Sequence, residues 1–511
     1  MTVKELTQRL GEARTERASR QNQINNYLRF ADPTAPRIGD SLHKPQDRSD
    51  EADDRFDTTL NEVAEDFAAD LIARVMPRQS NWLAFEPNEQ LPKEVRKQLE
   101  EPLRLRTATI FDAIRASNFY DDAAPNWALD QGHGTACLQV TDPGSGQEFL
   151  FEHIPVNQLL ILRGERGPKL IAREFMWELA EALAYWPGYN WPERLKAEAR
   201  RTTGQCRRIN TVLAATRIAD PGGERWRWQV LVDGKHLIHE EELTGRGSCP
   251  FILSRWRTHS ASAWGVGPLL KSVPDAMTLD QERYLILKNL GFAVDPVTMY
   301  DHDGVINVDG GVAPGDWIAR RAGSKIDRLD PGNLSPAYYE QGHLQDNIRR
   351  AGFQSGPRQR GKTPPTLGQW MDEKAEEGRR LEMPTGKLYT EAVIAIVSRV
   401  ERLLLDRGEI DETLSVGEKV ITLKPLNPLS RQQDYEQVQN AQALLREYST
   451  ITGPQVLAAE VDTRATFENM KARLQDTLIE MRPEEQADPY LQAVLGQPGT
   501  SAGLEEPMPE G

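Results

Sequence analysis

Between residues 347 and 371 the chain carries Arg349, Arg350, Arg358, Arg360 and Lys362 and not one Asp or Glu. Gly352, Gly356, Pro357, Gly361, Pro364 and Pro365 interrupt the same stretch. The freedom of glycine and the missing N–H of proline exclude a continuous helix or a central strand there. Helix-forming sequence flanks the stretch on both sides, so any fold of this chain must hold a basic loop between helices. The 511 residues as a whole are acidic, with a net charge of -15. A basic loop on an acidic body fits local contact with a polyanion, not a broad basic nucleic-acid surface. An ordinary solvated loop has the same composition.

The length corresponds to roughly two to four domains. Eleven Trp argue against a chain disordered throughout. Cys137, Cys206 and Cys249 form no CxxC pair, which points to buried thiols in a reducing compartment and not to a disulfide framework. The first residues hold no apolar core of signal-peptide length, and no run of about 18 apolar residues occurs. The expectation is a protein made in a cytoplasm, with no membrane partner.

Charged sequence from Val3 to Phe30 predicts a helix lying on a surface. Phe56, Leu60, Val63, Phe67, Leu71 and Val75 recur every three to four residues, an amphipathic helix stopped by Pro77. A further helix is expected from Pro92 to Ala116. Strands are expected at Ala136 to Val140, Gln147 to His153, Gln158 to Leu162, Arg208 to Arg217, Arg225 to Val232, Lys235 to His239 and Phe251 to Arg255. Asp233-Gly234 marks a hairpin between two of them. Helical spacing returns with Leu279, Arg283, Ile286, Leu287 and Leu290 and stops near Asp295-Pro296. A compact β insert follows to Leu329, then helical sequence to Arg350. Beyond the basic loop a long helix runs to Arg407, kinked near Pro384 and Gly386. A short strand is expected at Val420 to Leu423, then helices. The fold class is α+β.

Catalytic signatures are sparse. There is no GxxxxGK[ST], GxSxG or HExxH. Gly265-Val266-Gly267-Pro268 lacks the third glycine of a dinucleotide fingerprint and reads as a structural turn. Asp301, Asp303 and Asp309 sit near glycines, but no Glu closes a calcium loop, so turn-forming aspartates are favoured over a metal site. His133 between two glycines reads as a turn residue. No cofactor or metal is expected, although catalytic groups can lie far apart in sequence. A metal-dependent nucleic-acid enzyme using Asp301 and Asp303 is the alternative from another class.

The order of helix, β insert, helix, basic loop and long kinked helix is similar to that of phage portal proteins. The local sequence resembles the head-to-tail connectors of short-tailed double-stranded DNA phages. The resemblance rests on three pieces. The first is the helix and exit from Asn61 to Trp82, NEVAEDFAADLIARVMPRQSNW. The second is Cys249 to Arg257, CPFILSRWR, leading into Trp264-Gly265-Val266-Gly267-Pro268. The third is the helix bearing Leu279, Leu287 and Asn289. The chain departs from the family at Pro364-Pro365-Thr366-Leu367-Gly368-Gln369, where a Thr-Ala-x-Glu-type helix start is usual.

The resemblance implies a portal fold with an α/β wing, a helical stem, a small β-containing clip and a helical C-terminal crown. The expected segments are N-terminal helices and wing at 1–265, a stem helix at 266–296, the clip at 297–333 and a second stem helix at 334–352. A tunnel loop at 353–365, a long kinked helix at 366–408, a wing strand at 409–430, crown helices at 431–482 and a disordered tail at 483–511 complete the chain. Twelve copies would ring a channel for double-stranded DNA at the portal vertex of a virion capsid assembled in the host cytoplasm. The terminase large subunit would dock during packaging and a tail adaptor would replace it before ejection. Major capsid and scaffolding proteins are the other implied partners, and another ring-forming tail adaptor is the alternative within this class. Arg358, Arg360 and Lys362 are the expected DNA-channel contacts. Arg349 and Arg350 would face the channel or a neighbouring subunit. In the clip, Arg320, Arg321, Lys325 and Arg328 would meet DNA or acidic groups of a partner.

Overall fold

The computed structural model describes residues 2–42, 48, 54–88, 90–144, 146–165, 167–201, 207–219, 223–259, 262–295, 297–302, 316–321, 335–354, 386–410, 421–426, 428–452 and 461–474. Two compact units are present, Met1–Leu429 and Ser430–Gly511.

The first unit opens with α1 (Val3–Ala31), which starts on a capping box. Thr2 Oγ1 accepts from Glu5 N–H at 3.3 Å, and Glu5 accepts from Thr2 N–H at 3.1 Å. Next come α2 (Thr59–Val75), strand β1 (Leu83–Pro87), α3 (Lys93–Ala116), a π-helical turn at Phe119–Ala123 and α4 (Ala124–Gln131). Strand β2 (Thr135–Thr141) lies between β3 (Leu150–His153) and β9 (Phe251–Arg255), antiparallel to both. An antiparallel five-stranded sheet follows chain order: β4 (Leu159–Gly164), β5 (Gly167–Glu178), β6 (Arg208–Arg217), β7 (Arg225–Val232) and β8 (His236–Thr244). Between β5 and β6 the chain forms α5 (Leu179–Tyr185) and α6 (Glu193–Arg201).

Strand periodicity explains the position of this sheet. Leu159, Ile161, Ile171, Leu213, Ala215, Val230 and Val232 face the main core. Their neighbours Leu160, Leu170, Ala172, Val212, Ala214 and Leu231 form a second core under Leu6, Leu10 and Ala13 of α1. The other end of α1 buries Ile24, Tyr27, Leu28 and Phe30 in the main core. The expectation of a surface helix is therefore corrected. Few apolar residues suffice because each end of α1 packs against a different element.

Helix α7 (Val273–Val294) follows a short 3-10 turn at Leu269–Ser272. The parallel pair β10 (Thr298–His302) and β11 (Trp317–Arg321) comes next, then α8 (Ser335–Ala351). The chain is described again from Gly386, through a π-helical turn at Tyr389–Val393 into α9 (Ile394–Arg407). Strand β12 (Ile421–Pro425) closes antiparallel on β1. Helix α10 (Pro428–Thr452) begins at the end of the first unit and continues into the second, which also contains α11 (Thr463–Leu474).

The hairpin between β7 and β8 has the expected turn. Asp233 and Gly234 take φ of 49° and 66°, and Lys235 N–H bonds the Val232 carbonyl at 3.1 Å. Strands β1 and β5 and the short helices α4, α5 and α6 were not expected from sequence. The kink residue Pro384 lies outside the described residues, as do Cys206 and the tail at 483–511. Cys137 and Cys249 are buried free thiols; burial pushes both up, Cys249 to about 12. No described helix is long and apolar enough to cross a membrane.

Candidate functional site

Helix α7 is aimed by a contact that only glycine allows. A Cβ on Gly265 would meet the Gly134 carbonyl oxygen at 1.9 Å, and one on Gly267 would meet that of Gly132 at 2.1 Å. The two glycine segments therefore touch backbone to backbone. Gly267 N–H bonds the His133 carbonyl at 3.0 Å, and Leu269 N–H bonds that of Gly132 at 3.2 Å. Gly265-Val266-Gly267-Pro268 is thus a structural turn, as its missing glycine indicated.

His133 is buried in this joint, 3.2 Å from the carboxylate of Asp130, which also meets His153 at 2.8 Å. Burial alone would push the Asp130 carboxyl up. The two imidazoles outweigh it and hold the group well below the usual carboxylate range. The cluster braces the turn from beneath.

A second anchor ties α7 to the start of α2. Asp57 is 5% exposed; its carboxylate accepts from Thr59 N–H at 2.9 Å and from Arg283 at 2.8 Å. Asp280 of α7 accepts from the backbone N–H groups of Phe56 and Asp57 at 2.7 and 3.0 Å. Asp57 thus satisfies a donor that the helix start leaves open, and Asp280 holds the backbone that leads into it.

Helix α8 packs along α7 and reaches α2, burying Leu344 and Ile348. Its C-terminus is the root of the basic segment. Phe353 N–H bonds the Arg350 carbonyl at 3.3 Å and Gln354 N–H bonds that of Arg349 at 3.0 Å. This is a Schellman cap whose left-handed residue is Phe353, at φ 60°. The Phe353 ring packs against Phe67 and Trp256 at 6.2 and 6.0 Å. Gln354 Nε2 donates to the Val63 carbonyl at 3.1 Å. The side chains of Arg349 and Arg350 are exposed and make no ion pair with a described residue.

The point of return is fixed as firmly. Arg255 of β9 grips Glu391 of the π-helical turn through two side-chain bonds, at 2.6 and 3.1 Å. Arg399 lies on the apolar face of α9 and donates to the carbonyls of Val140, Gly247 and Ser248. Burial holds its guanidinium below the usual arginine range. Arg106 of α3 meets Glu401 at 2.6 Å, both nearly buried. These bonds lock the helix to β2, β9, the loop before β9 and α3.

Helices α7 and α8 also leave apolar side chains exposed. Along α7, Leu285, Leu287, Leu290 and Val294 are 53%, 48%, 45% and 78% exposed, and on α8 Tyr338 and Tyr339 are 55% and 71% exposed. Leu279 and Ile286 of the same expected helix face are buried. Leu287, Leu290 and Val294 form an apolar stripe on one face of α7, with Leu285 on the opposite side, and a stripe of this kind is suited to contact with a partner.

Of the residues singled out from sequence, Arg320 and Arg321 lie in β11, in register with Asp301 and His302 of β10. Lys325, Arg328, Arg358, Arg360 and Lys362 lie outside the described residues, as do Asp303 and Asp309. No group of three metal-ligating side chains occurs among the described residues. Sequence reasoning missed Asp57, Asp280 and Phe353. The bonds of Arg399 to backbone carbonyls were not foreseen either.

Comparison with known proteins adds the family. Among solved structures, the virion of a native gene transfer agent particle holds a similar chain at 12% identity and TM-score 0.32. That match covers 93% of this chain and 100% of the other. The neck of the native particle, computed with C12 symmetry, matches at 12% identity and TM-score 0.29, covering 80% and 93%. The neck of the empty particle, computed with C6 symmetry, matches at 14% identity and TM-score 0.29, covering 79% and 92%. Nothing matches among curated proteins. The model of the bacteriophage head to tail connecting proteins, a structural and not an enzymatic family, matches residues 3–474. The chain belongs to the family of bacteriophage head to tail connecting proteins.

Proposed function

We propose that this connector assembles as a ring of twelve copies at one capsid vertex and conducts double-stranded DNA during packaging and ejection. Family membership over residues 3–474 carries the proposal. The exposed stripe on α7 and α8 supports the ring. Burying the exposed half of one such Leu side chain against a neighbour gains about 1 kcal/mol, and closed symmetry repeats that gain at every interface.

In this arrangement 266–296 and 334–352 are stem helices, 297–333 is the clip, 353–365 is the tunnel loop and 431–482 forms the crown. The terminase large subunit docks on the clip, where Arg320, Arg321, Lys325 and Arg328 offer charge to DNA or to acidic partner groups. A tail adaptor takes its place after packaging. The acidic body keeps affinity for DNA low, and the ring of Arg358, Arg360 and Lys362 makes exchangeable phosphate contacts that let the duplex slide. Arg349 and Arg350, exposed at the root of the loop, face the channel or pair across the subunit boundary.

Replacing Arg358, Arg360 and Lys362 together by Ala tests the channel assignment. Rings should form normally while particles package or retain less DNA. If the rings fail to form, the loop belongs to the subunit interface and the assignment is wrong.

A further inference from the structure

The five-stranded sheet carries a surface for which the proposed channel has no use. Trp177 lies near the end of β5, and Tyr185, Trp186 and Tyr189 follow in and after α5. Ring centroids are 5.2 Å apart for Trp177 with Tyr185 and for Trp177 with Trp186. Trp186 stacks on Tyr189 at 5.4 Å and 11°, and Tyr189 stacks on His239 of β8 at 4.0 Å and 5°. Five rings thus make one continuous ladder. A ladder built only for the core would be buried. Here Tyr185 is 53% exposed and the other four rings are half-buried.

Carboxylates border the rings. Glu181 accepts from Trp177 Nε1 at 2.9 Å. Glu241, 57% exposed, lies 3.4 Å from His239 Nε2 at the far end. Glu152, close enough to Tyr185 to act on its hydroxyl, pairs with Arg173 at 3.2 Å. That Arg173 guanidinium also sits 4.8 Å over the Phe175 ring. One edge of the patch therefore already holds a cation between a ring and a carboxylate.

The charge decides what kind of partner fits. Aromatic faces alone would stack nucleic-acid bases, but carboxylates along the ladder repel phosphates. A cation gains from both ring and carboxylate. We propose that the ladder docks an extended Arg- or Lys-bearing segment of a partner protein, its cations seated on the rings and held by Glu181 and Glu241. Arginine is the preferred residue, since its planar guanidinium stacks on rings and bonds carboxylates at once.

The test uses the full chain and a fluorescently labelled Arg-Gly repeat peptide, with a Gln-Gly repeat of equal length as control. The Arg peptide should bind and quench tryptophan emission, and the control should not. Tyr185→Ala should weaken binding about tenfold, the range of a cation–π contact. Tyr185→Phe, which keeps the ring, should restore it. Glu241→Gln should weaken binding and flatten its salt dependence. Equal binding to both peptides, or binding indifferent to Tyr185→Ala and Glu241→Gln, would overturn the proposal. So would a single-stranded oligonucleotide that binds more tightly than the Arg peptide and quenches the same emission.

Discussion

Phe353 holds a left-handed backbone at the point where the chain leaves α8, a conformation that costs a non-glycine residue about 1–2 kcal/mol. The cost is met by its ring contacts with Phe67 and Trp256 and by the neighbouring bond from Gln354 to Val63. Gly352, one residue earlier, is needed for space and not for φ: a Cβ there would meet Val63 Cγ1 at 2.3 Å. Gly352→Ala should therefore lower stability by about 1–3 kcal/mol. Gly342→Ala, within α8 and with nothing nearby, should raise it by about 0.5–1 kcal/mol. Thermal unfolding of the two variants checks this, and equal effects would refute the packing argument. Sequence alone marked Gly352 as a helix breaker. It did not show that Phe353 takes the left-handed position, because contacts from α2 and from Trp256 just after β9, far away in sequence, decide that.

Elements in this chain are joined by buried charged groups, and these were the hardest to foresee. Strand β5 escaped sequence reading because Arg173 and Glu174 sit in its middle, where a buried strand usually carries apolar residues. Glu174 is 6% exposed and fully partnered: Arg14 of α1 donates to both its oxygens at 2.9 and 3.0 Å, and Asn210 of β6 donates at 2.9 Å. Burial pushes its carboxyl up, but these bonds and the charge of Arg14 outweigh it and leave the group below the usual range. A carboxyl depressed on folding adds stability above its unfolded value of about 4.3, and that stability is lost as pH falls through the folded value. Glu174→Gln should thus lower the melting temperature at neutral pH, and the gap to the native chain should close as pH drops below about 4. A gap that stays constant or widens in acid would contradict the pairing. Strands with clean periodicity, such as β6 and β7, were legible because their two faces alternate without such interruptions.

At the scale of the whole molecule the central tension is charge against exposed apolar surface. A chain of net charge -15 resists indiscriminate association, yet α7 and α8 leave Leu285, Leu287, Leu290, Val294, Tyr338 and Tyr339 open to water. The anchors at Asp57, Asp280 and the glycine turn hold those helices in a fixed direction, as a symmetric interface requires. The element order that led to the connector family was legible from sequence. The apolar stripe was legible only in part, since Leu279, Ile286, Leu287 and Leu290 share one periodicity while two are buried and two exposed. The most direct test is the mass of the purified 57.6 kDa chain by light scattering at high concentration. A closed assembly of about twelve chains is the predicted result, and a population confined to monomer or dimer would contradict the account.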